Sequence, residues 1–308
     1  MTLNSGWTYR QQVGPESAGL TVLEFLAATR LHTSSEEWAR RLDRGEVEIE
    51  GRRAISSCIL QPGQIILWHR PPWDEAVVPT NYRIIYEDDS IVAVDKPGGL
   101  PTMPAGGFVN HTLLALMREV YPEASPLHRL GRHTSGLVLF ARTRTAASAL
   151  ARAWRDRAVT KTYRALALGE TRTEMYVIDV PIGPVPHPLL GTVHAAVEGG
   201  KPSHSVAVVL EAGRDRTLFN VEITTGRPHQ IRIHLAYAGH PLIGDPLYET
   251  GGGLKRHPGL PGDGGYLLHA ERLQFTHPIS AEPMSLHAPA PPALQTRAEQ
   301  ATANALAL

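Results

Sequence analysis

Cysteine is nearly absent from this chain: 308 residues contain one, Cys58. A lone thiol excludes a disulfide framework, a cysteine zinc finger and an iron–sulfur cluster, and is compatible with a reducing cytosol. No apolar run approaches the ~18 residues of a membrane-spanning helix, so no membrane partner is expected. The first residues, MTLNSGWTYRQQVG, lack a basic stretch followed by an apolar one. No secretory signal is therefore expected, and the cytoplasm is the default location. Familiar enzyme signatures are missing as well. Neither glycine-rich stretch, residues 99–107 or 199–203, fits G-x-x-x-x-G-K-[ST]. His229 and His234 stand five apart and no H-E-x-x-H exists, so no metal site is expected. There is no G-x-S-x-G elbow to suggest a hydrolase.

Net charge is also absent, 30 basic side chains balancing 30 acidic ones, yet lysine is scarce: 4 against 26 arginines. Codon preference of a GC-rich genome accounts for the global ratio. The local distribution is different, because nine Lys or Arg residues between His128 and Arg164 face a single acid, Asp156. Arginine's planar fork suits bidentate phosphate contacts, so this segment points towards a polyanion such as RNA.

The hydrophobic pattern divides the chain. Residues 18–72 read as a small α+β unit: a helix from Thr21 with Leu23 and Leu26 on one face, then a helix capped by Ser34 or Ser35 and ended by Gly45. Strands follow at Val47–Glu50, turned by Gly51, and at Ile65–Trp68; Pro71-Pro-Trp begins a linker. This order, with its G-x-V and P-G-Q-I-I-L strands, resembles the small RNA-binding module named after ribosomal protein S-four. The resemblance implies RNA-facing roles for Arg40, Arg41, Arg44, Arg52 and Arg53, each of which otherwise reads as part of a solvated face.

Residues 80–288 read as a second α+β unit with a mostly antiparallel sheet. Strands are expected at 91–95, 136–141, 162–168, 205–210 and 217–223. A helix capped by Thr145 carries Ala146, Leu150 and Trp154, and another starts at Pro228 and stops at Gly239. The Ala- and Pro-rich tail, 289–308, is expected to be disordered.

Five ordered blocks narrow the reading. They are I-Y-E-D-D-S-I-V-A-V-D-K-P-G-G-L-P-T-M-P at 85–104, L-H-R-L-G-R-H-T-S-G-L-V-L-F-A-R at 127–142, K-T-Y-R-A-L at 161–166, T-T-G-R-P-H-Q-I-R-I-H-L at 224–235 with its continuation to Tyr248, and L-L-H-A-E-R-L-Q-F-T-H-P at 267–278. Together they resemble the RluA-type pseudouridine synthases. The resemblance implies the pseudouridine synthase fold and the isomerisation of uridine to pseudouridine in rRNA or tRNA, without a cofactor. Such an enzyme must take its target base out of the stack, which demands phosphate-holding arginines and an aromatic platform. By resemblance Tyr163 is the active-site tyrosine that stacks on the base, where the residue alone would read as a core strand tyrosine. Arg227 matches the arginine paired with the catalytic carboxylate on the pocket floor. His128, Arg129, Arg132 and Arg232 flank the site as supports or phosphate contacts.

One departure is severe. The family's second block reads H-R-L-D; here it reads H-R-L-G, with Gly131 in place of the catalytic aspartate. Glycine can neither attack nor accept a proton. Three readings follow: a synthase using a displaced carboxylate such as Asp95 or Asp245, an RNA-binding pseudoenzyme, or a ribosome-assembly RNA-binding factor.

Overall fold

The computed structural model describes residues 3–31 and 33–306. The first two residues of the leader segment and the last two of the tail discussed above lie outside the described residues. The chain divides into two compact units, one running up to Glu75 and including Pro186–Val193, the other comprising Ala76–Val185 and the chain from His194 onward.

In the first unit the elements are β1 (Trp7–Gln12), α1 (Val22–Thr29), α2 (Ser35–Asp43), β2 (Val47–Ile49), β3 (Arg52–Arg53) and β4 (Ile65–Arg70), with sheet order β1-β4-β2-β3. Thr21 opens α1 with a capping box: its hydroxyl accepts from the Glu24 N–H while the Glu24 carboxylate accepts from the Thr21 N–H. Ser34 caps α2, and Gly45, at φ +75°, lets the chain turn out of it. Strand β1 precedes the expected start at residue 18. Its polar sequence hides it, but six residues pair with β4 and Tyr9 stacks on Trp68 at 4.8 Å.

The second unit contains β5 (Arg83–Glu87), β6 (Ile91–Lys96), α3 (Leu113–Val120), β7 (Ser125–Pro126), β8 (Ser135–Ala141), α4 (Arg144–Arg155), β9 (Thr160–Leu168) and β10 (Met175–Ile178). A hairpin of β11 (Ile182–His187) and β12 (Gly191–Ala196) follows, its turn Pro186–Val193 being the part grouped with the first unit, then β13 (Ser205–Ala212), β14 (Arg216–Ile223), α5 (Gln230–Tyr237), β15 (Leu268–Thr276), β16 (Pro283–His287) and α6 (Arg297–Leu306). The large sheet runs β10-β13-β14-β9-β15-β8-β6-β5, with β16 beside β15 and β7 beside β8. Its one parallel pair is β15 with β8, so the sheet is antiparallel-dominated as expected.

Both faces of its centre are covered, and the period of two explains how. Along β6, Val92 and Val94 enter one core with Val138 and Phe140 of β8 and Leu113 and Met117 of α3. The intervening Ile91 and Ala93 enter a second core with Leu137, Leu139 and Leu150 of α4. Helix α4 is capped two residues earlier than expected, by Thr143, whose hydroxyl accepts from the Ala146 N–H at 3.2 Å.

The tail departs from the disorder its composition suggested. Leu294 is buried at 1% exposure, and α6 brings Glu299 onto Arg164 of β9 in two 2.8 Å bonds, while Glu271 holds the same guanidinium at 3.0 Å. These bonds hold the Glu299 carboxyl down at about 2. An Ala/Pro-rich composition predicts no core, but here one buried leucine and one bidentate ion pair anchor the segment.

Candidate active site

The loop 128–134 leads into β8, and the preceding block clamps it. Lys96, fully buried, donates from Nζ to the carbonyls of Pro97 (2.9 Å), Leu100 (2.7 Å) and Arg132 (3.1 Å). Three acceptors satisfy its three protons. Burial pushes its ammonium down to about 7. Thr102 adds two bonds to the backbone of Leu130, and Arg132 reaches back from Nε to the Gly99 carbonyl at 3.1 Å while its guanidinium covers the Phe108 ring. The motifs around Lys96 and Arg132 are thus parts of one device that fixes the backbone of Gly131.

Tyr163 lies on the same side of the sheet. The register places it opposite Val221 of β14 and Ala270 of β15, and Ala270 in turn pairs with Gly136 of β8. Gly136 is obligatory there: it has φ +105°, and a Cβ would meet the Ala270 carbonyl oxygen at 2.2 Å. Tyr163 is 8% exposed and shares its core with Leu130, Ile231, Tyr266 and Leu268. Its hydroxyl bonds to no described residue, yet is not among the buried unpaired atoms, so the phenol tip meets solvent while the ring is packed. Burial raises the phenol to about 12.

Beside it stands a buried ion pair. Arg232 of α5 forks onto Asp245, Nε to Oδ2 at 2.7 Å and Nη2 to Oδ1 at 2.8 Å, with both side chains at most 3% exposed. Burial opposes the charges, but the paired geometry outweighs it: Asp245 is held below, and Arg232 above, the ordinary range. The guanidinium lies over the Tyr266 ring, 4.2 Å from its centre. The close approach depends on Gly244, whose φ is +74° and where a Cβ would sit 2.3 Å from the Gly265 carbonyl oxygen. Tyr266 then aims its hydroxyl at Gly131: a Cβ there would be 2.7 Å from that oxygen.

The chain carrying this site has known relatives. A family model described as RNA pseudouridylate synthase matches residues 90–237. An uncharacterized RNA pseudouridine synthase of Synechocystis sp. is 40% identical across 89% of this chain and 96% of that protein. The chain belongs to the RNA pseudouridine synthase family. Ribosomal large subunit pseudouridine synthase D of Vibrio parahaemolyticus is 35% identical over 71% of this chain and 70% of its own. The solved human RNA pseudouridylate synthase domain containing 1 superposes with a TM-score of 0.57 at 26% identity, covering 75% of this chain and 97% of that one. The fold is that of the pseudouridine synthases, and the isomerase class follows from the family.

Within this synthase framework several residues sit elsewhere than the motifs suggested. Arg227, deprived of its family counter-charge by the glycine at 131, meets no carboxylate among the described residues: it is half-buried and donates from Nε and Nη2 to the Pro202 carbonyl at 3.2 and 3.1 Å. The deeply buried arginine is Arg232. Pro228 does not start α5, because His229 takes a left-handed φ of +57° and the helix begins at Gln230. Asp245 is used up by Arg232 and by the N–H groups of Leu247 and Tyr248. Asp95 bonds Arg83 and alternates with Ile91 and Ala93, onto the sheet face away from Tyr163. Neither is a free acid beside Tyr163. Arg129 is exposed and makes no bond to a described residue. His128 is no phosphate ligand in this arrangement: its ring stacks on Trp154 and its Nε2 accepts the Leu139 N–H at 3.1 Å.

In the first unit, Arg41 is not the surface cation that was expected. Its guanidinium lies against both the Trp38 and Trp68 rings, 4.8 and 4.7 Å from their centres, and bonds Glu37. Arg40 and Arg44 also touch Glu37, but they remain exposed, as do Arg52 and Arg53. Sequence reasoning missed Tyr266 altogether. Its signal was available: an aromatic residue between Gly264–Gly265 and the L-L-H-A block, one position upstream of where the motif begins.

Two half-buried imidazoles set an acid limit on folding. Burial, with the charge of Lys161 adding to it, pushes His128 down to about 4; burial and Arg232 push His229 to about 3. Unfolded histidine titrates near ~6.5, so below that pH the unfolded chain binds protons the folded one refuses. Stability is fully present above pH ~6.5 and is lost as pH falls towards 4, by on the order of 3 kcal/mol for His128 alone. His128→Gln, which keeps an acceptor for Leu139, should flatten this acid slope in urea midpoints measured from pH 7 to 4.5. Equal slopes in the two proteins would contradict the assignment.

Proposed function

We propose that this chain isomerises uridine to pseudouridine in a structured RNA of the cytoplasm, with ribosomal RNA the first substrate to test and transfer RNA the second. The observation that carries the reading is the meeting of three motif segments around one core, Tyr163, the loop at Gly131, and α5 with Arg232, with the Tyr163 hydroxyl reaching solvent beside the exposed Gly131. Support for a ribosomal target comes from the Vibrio relative, which is named for the large subunit.

Each group has work to do. The target nucleotide leaves its stack and its base lies against Tyr163, whose packed ring offers a rigid face and whose hydroxyl offers a proton-carrying tip. Arg129, unpaired beside the loop, takes a phosphate; Arg132 and His128 hold the loop from behind. Arg227 anchors the segment before α5. The first unit resembles the S-four-type module in its two helices and following strands, and its exposed Arg40, Arg44, Arg52 and Arg53 supply further phosphate contacts. Charge-driven binding has a signature: log affinity falls linearly with log salt, with a slope near ~0.9 per neutralised phosphate. Arg129→Ala should lower that slope by about one for ribosomal RNA fragments, with unfolding unchanged. An unchanged slope would remove Arg129 from the interface. A wild-type isotherm insensitive to salt would sink the RNA-binding reading as a whole.

A further inference from the structure

Gly131 has no positive φ and is exposed, so its backbone would accept any side chain; what stands against one is the Tyr266 oxygen, 2.7 Å from where a Cβ would lie. The next nearest atom is Thr134 Oγ1 at 3.5 Å. The space of residue 131's side chain is thus already occupied, by a phenol contributed from a segment 135 positions later. That phenol is 3% exposed and has a single long hydrogen bond, donated by Thr134 Oγ1 at 3.4 Å. Its own proton and a lone pair are left for another partner. Arg232, whose guanidinium lies over the same ring, keeps a second unmet group: Nη1 is buried without a hydrogen bond although Nε and Nη2 are satisfied by Asp245. Two underused polar groups, one cationic, beside an open loop are what a bound polar substrate would complete.

We propose that the Tyr266 hydroxyl replaces the carboxylate missing at position 131 and hydrogen-bonds the target nucleoside during isomerisation, with Arg232 as the positive charge behind it. The inference rests on the isomerase reading above. In that reaction the N1–C1′ bond breaks and a C5–C1′ bond forms, C5 gives up a proton and N1 gains one, so no co-reactant is consumed. A hydroxyl can both donate and accept, and so can stay bonded to the nucleoside as the uracil turns from N1 to C5. Charge on the aromatic face favours any negative character that develops on the phenol oxygen.

The test uses the full chain and bulk cellular RNA carrying 5-tritiated uridine, taken from cells lacking this protein. Wild type is expected to release tritium. Tyr266→Phe should release it at least 100-fold more slowly, with RNA affinity and urea midpoint unchanged. The double variant Gly131→Asp, Tyr266→Phe clears the blocking oxygen, sets a carboxylate near the open N–H of Arg232, and should recover at least tenfold. Its pH–rate profile should move its acid limb to the carboxylate range, a change no purely structural role of Tyr266 would cause. An active wild type with Tyr266→Phe within threefold of it overturns this proposal alone. A wild type that binds RNA but releases no tritium overturns the isomerase reading and this proposal with it. Should Tyr266→Phe lose its fold, the double variant decides: no recovery in a folded double variant also overturns the proposal.

Discussion

Asp245→Asn should destabilise the second unit by ~3–5 kcal/mol, the largest loss expected of any isosteric change in the molecule. Arg232 is 2% exposed and, among the described residues, its only anionic partner is this carboxylate. Nη1 is already without an acceptor, so no spare polar group stands ready to take over. Removing the negative charge leaves a desolvated guanidinium between the Tyr248 and Tyr266 rings. Asp245 also accepts the N–H groups of Leu247 and Tyr248, so the turn after α5 loosens at the same time. Urea denaturation followed by far-UV circular dichroism measures the effect. Replacing both partners, Asp245→Leu with Arg232→Met, should recover much of the loss, because the desolvation of two charges disappears with them. A loss below 1 kcal/mol for Asp245→Asn would mean that water or another group reaches Arg232.

Tyr163→Phe should leave stability within ~0.5 kcal/mol and RNA affinity within a few-fold, while turnover falls by ~10²–10⁴. The two halves of that expectation come from the two ends of one side chain. Its ring is packed with Leu130, Ile231 and Leu268, so Tyr163→Ala would remove core contacts, costing ~3–5 kcal/mol, and obscure its chemistry. The hydroxyl bonds no described residue, so its removal leaves no described partner unsatisfied. Steady-state tritium release, with binding measured separately, distinguishes the ends. Full turnover by the phenylalanine variant would reduce Tyr163 to a packing residue.

How much of this was legible in the chain depended on the range of the interaction. Strands β6, β8, β9, β13 and β14 are apolar runs whose burial is set by neighbours two residues apart, and they were read correctly to within a residue or two. The helix start at Thr21 and the glycine stop at Gly239 are local chemistry and were legible for the same reason. The start of α5 was misread because Gln230 receives the Arg227 N–H and Thr225 hydroxyl on its side chain, which makes a turn where Pro228 suggested a first helical residue. Arg41 and Arg232 illustrate a second limit. A sequence shows an arginine's charge but not the tryptophan pair or the carboxylate, 13 positions away, that takes it out of solvent. The site was located by its motifs, yet its most unusual feature, Tyr266 against Gly131, joins residues that no local pattern connects. Glycine at 131 read alone means a lost group; read with Tyr266 it means an exchanged one.

Whether an RNA pseudouridine synthase can work without a carboxylate at 131 is the question on which the account stands. Release of tritium from RNA carrying 5-tritiated uridine answers it directly, because the label leaves only when C5 loses its hydrogen. The account expects wild-type protein, purified away from other synthases, to release tritium at a defined number of sites per RNA molecule, saturating with time. RNA bound with salt-sensitive affinity but no tritium above the blank would contradict it, and would make the chain a binder of RNA that retains the family's pocket without its chemistry.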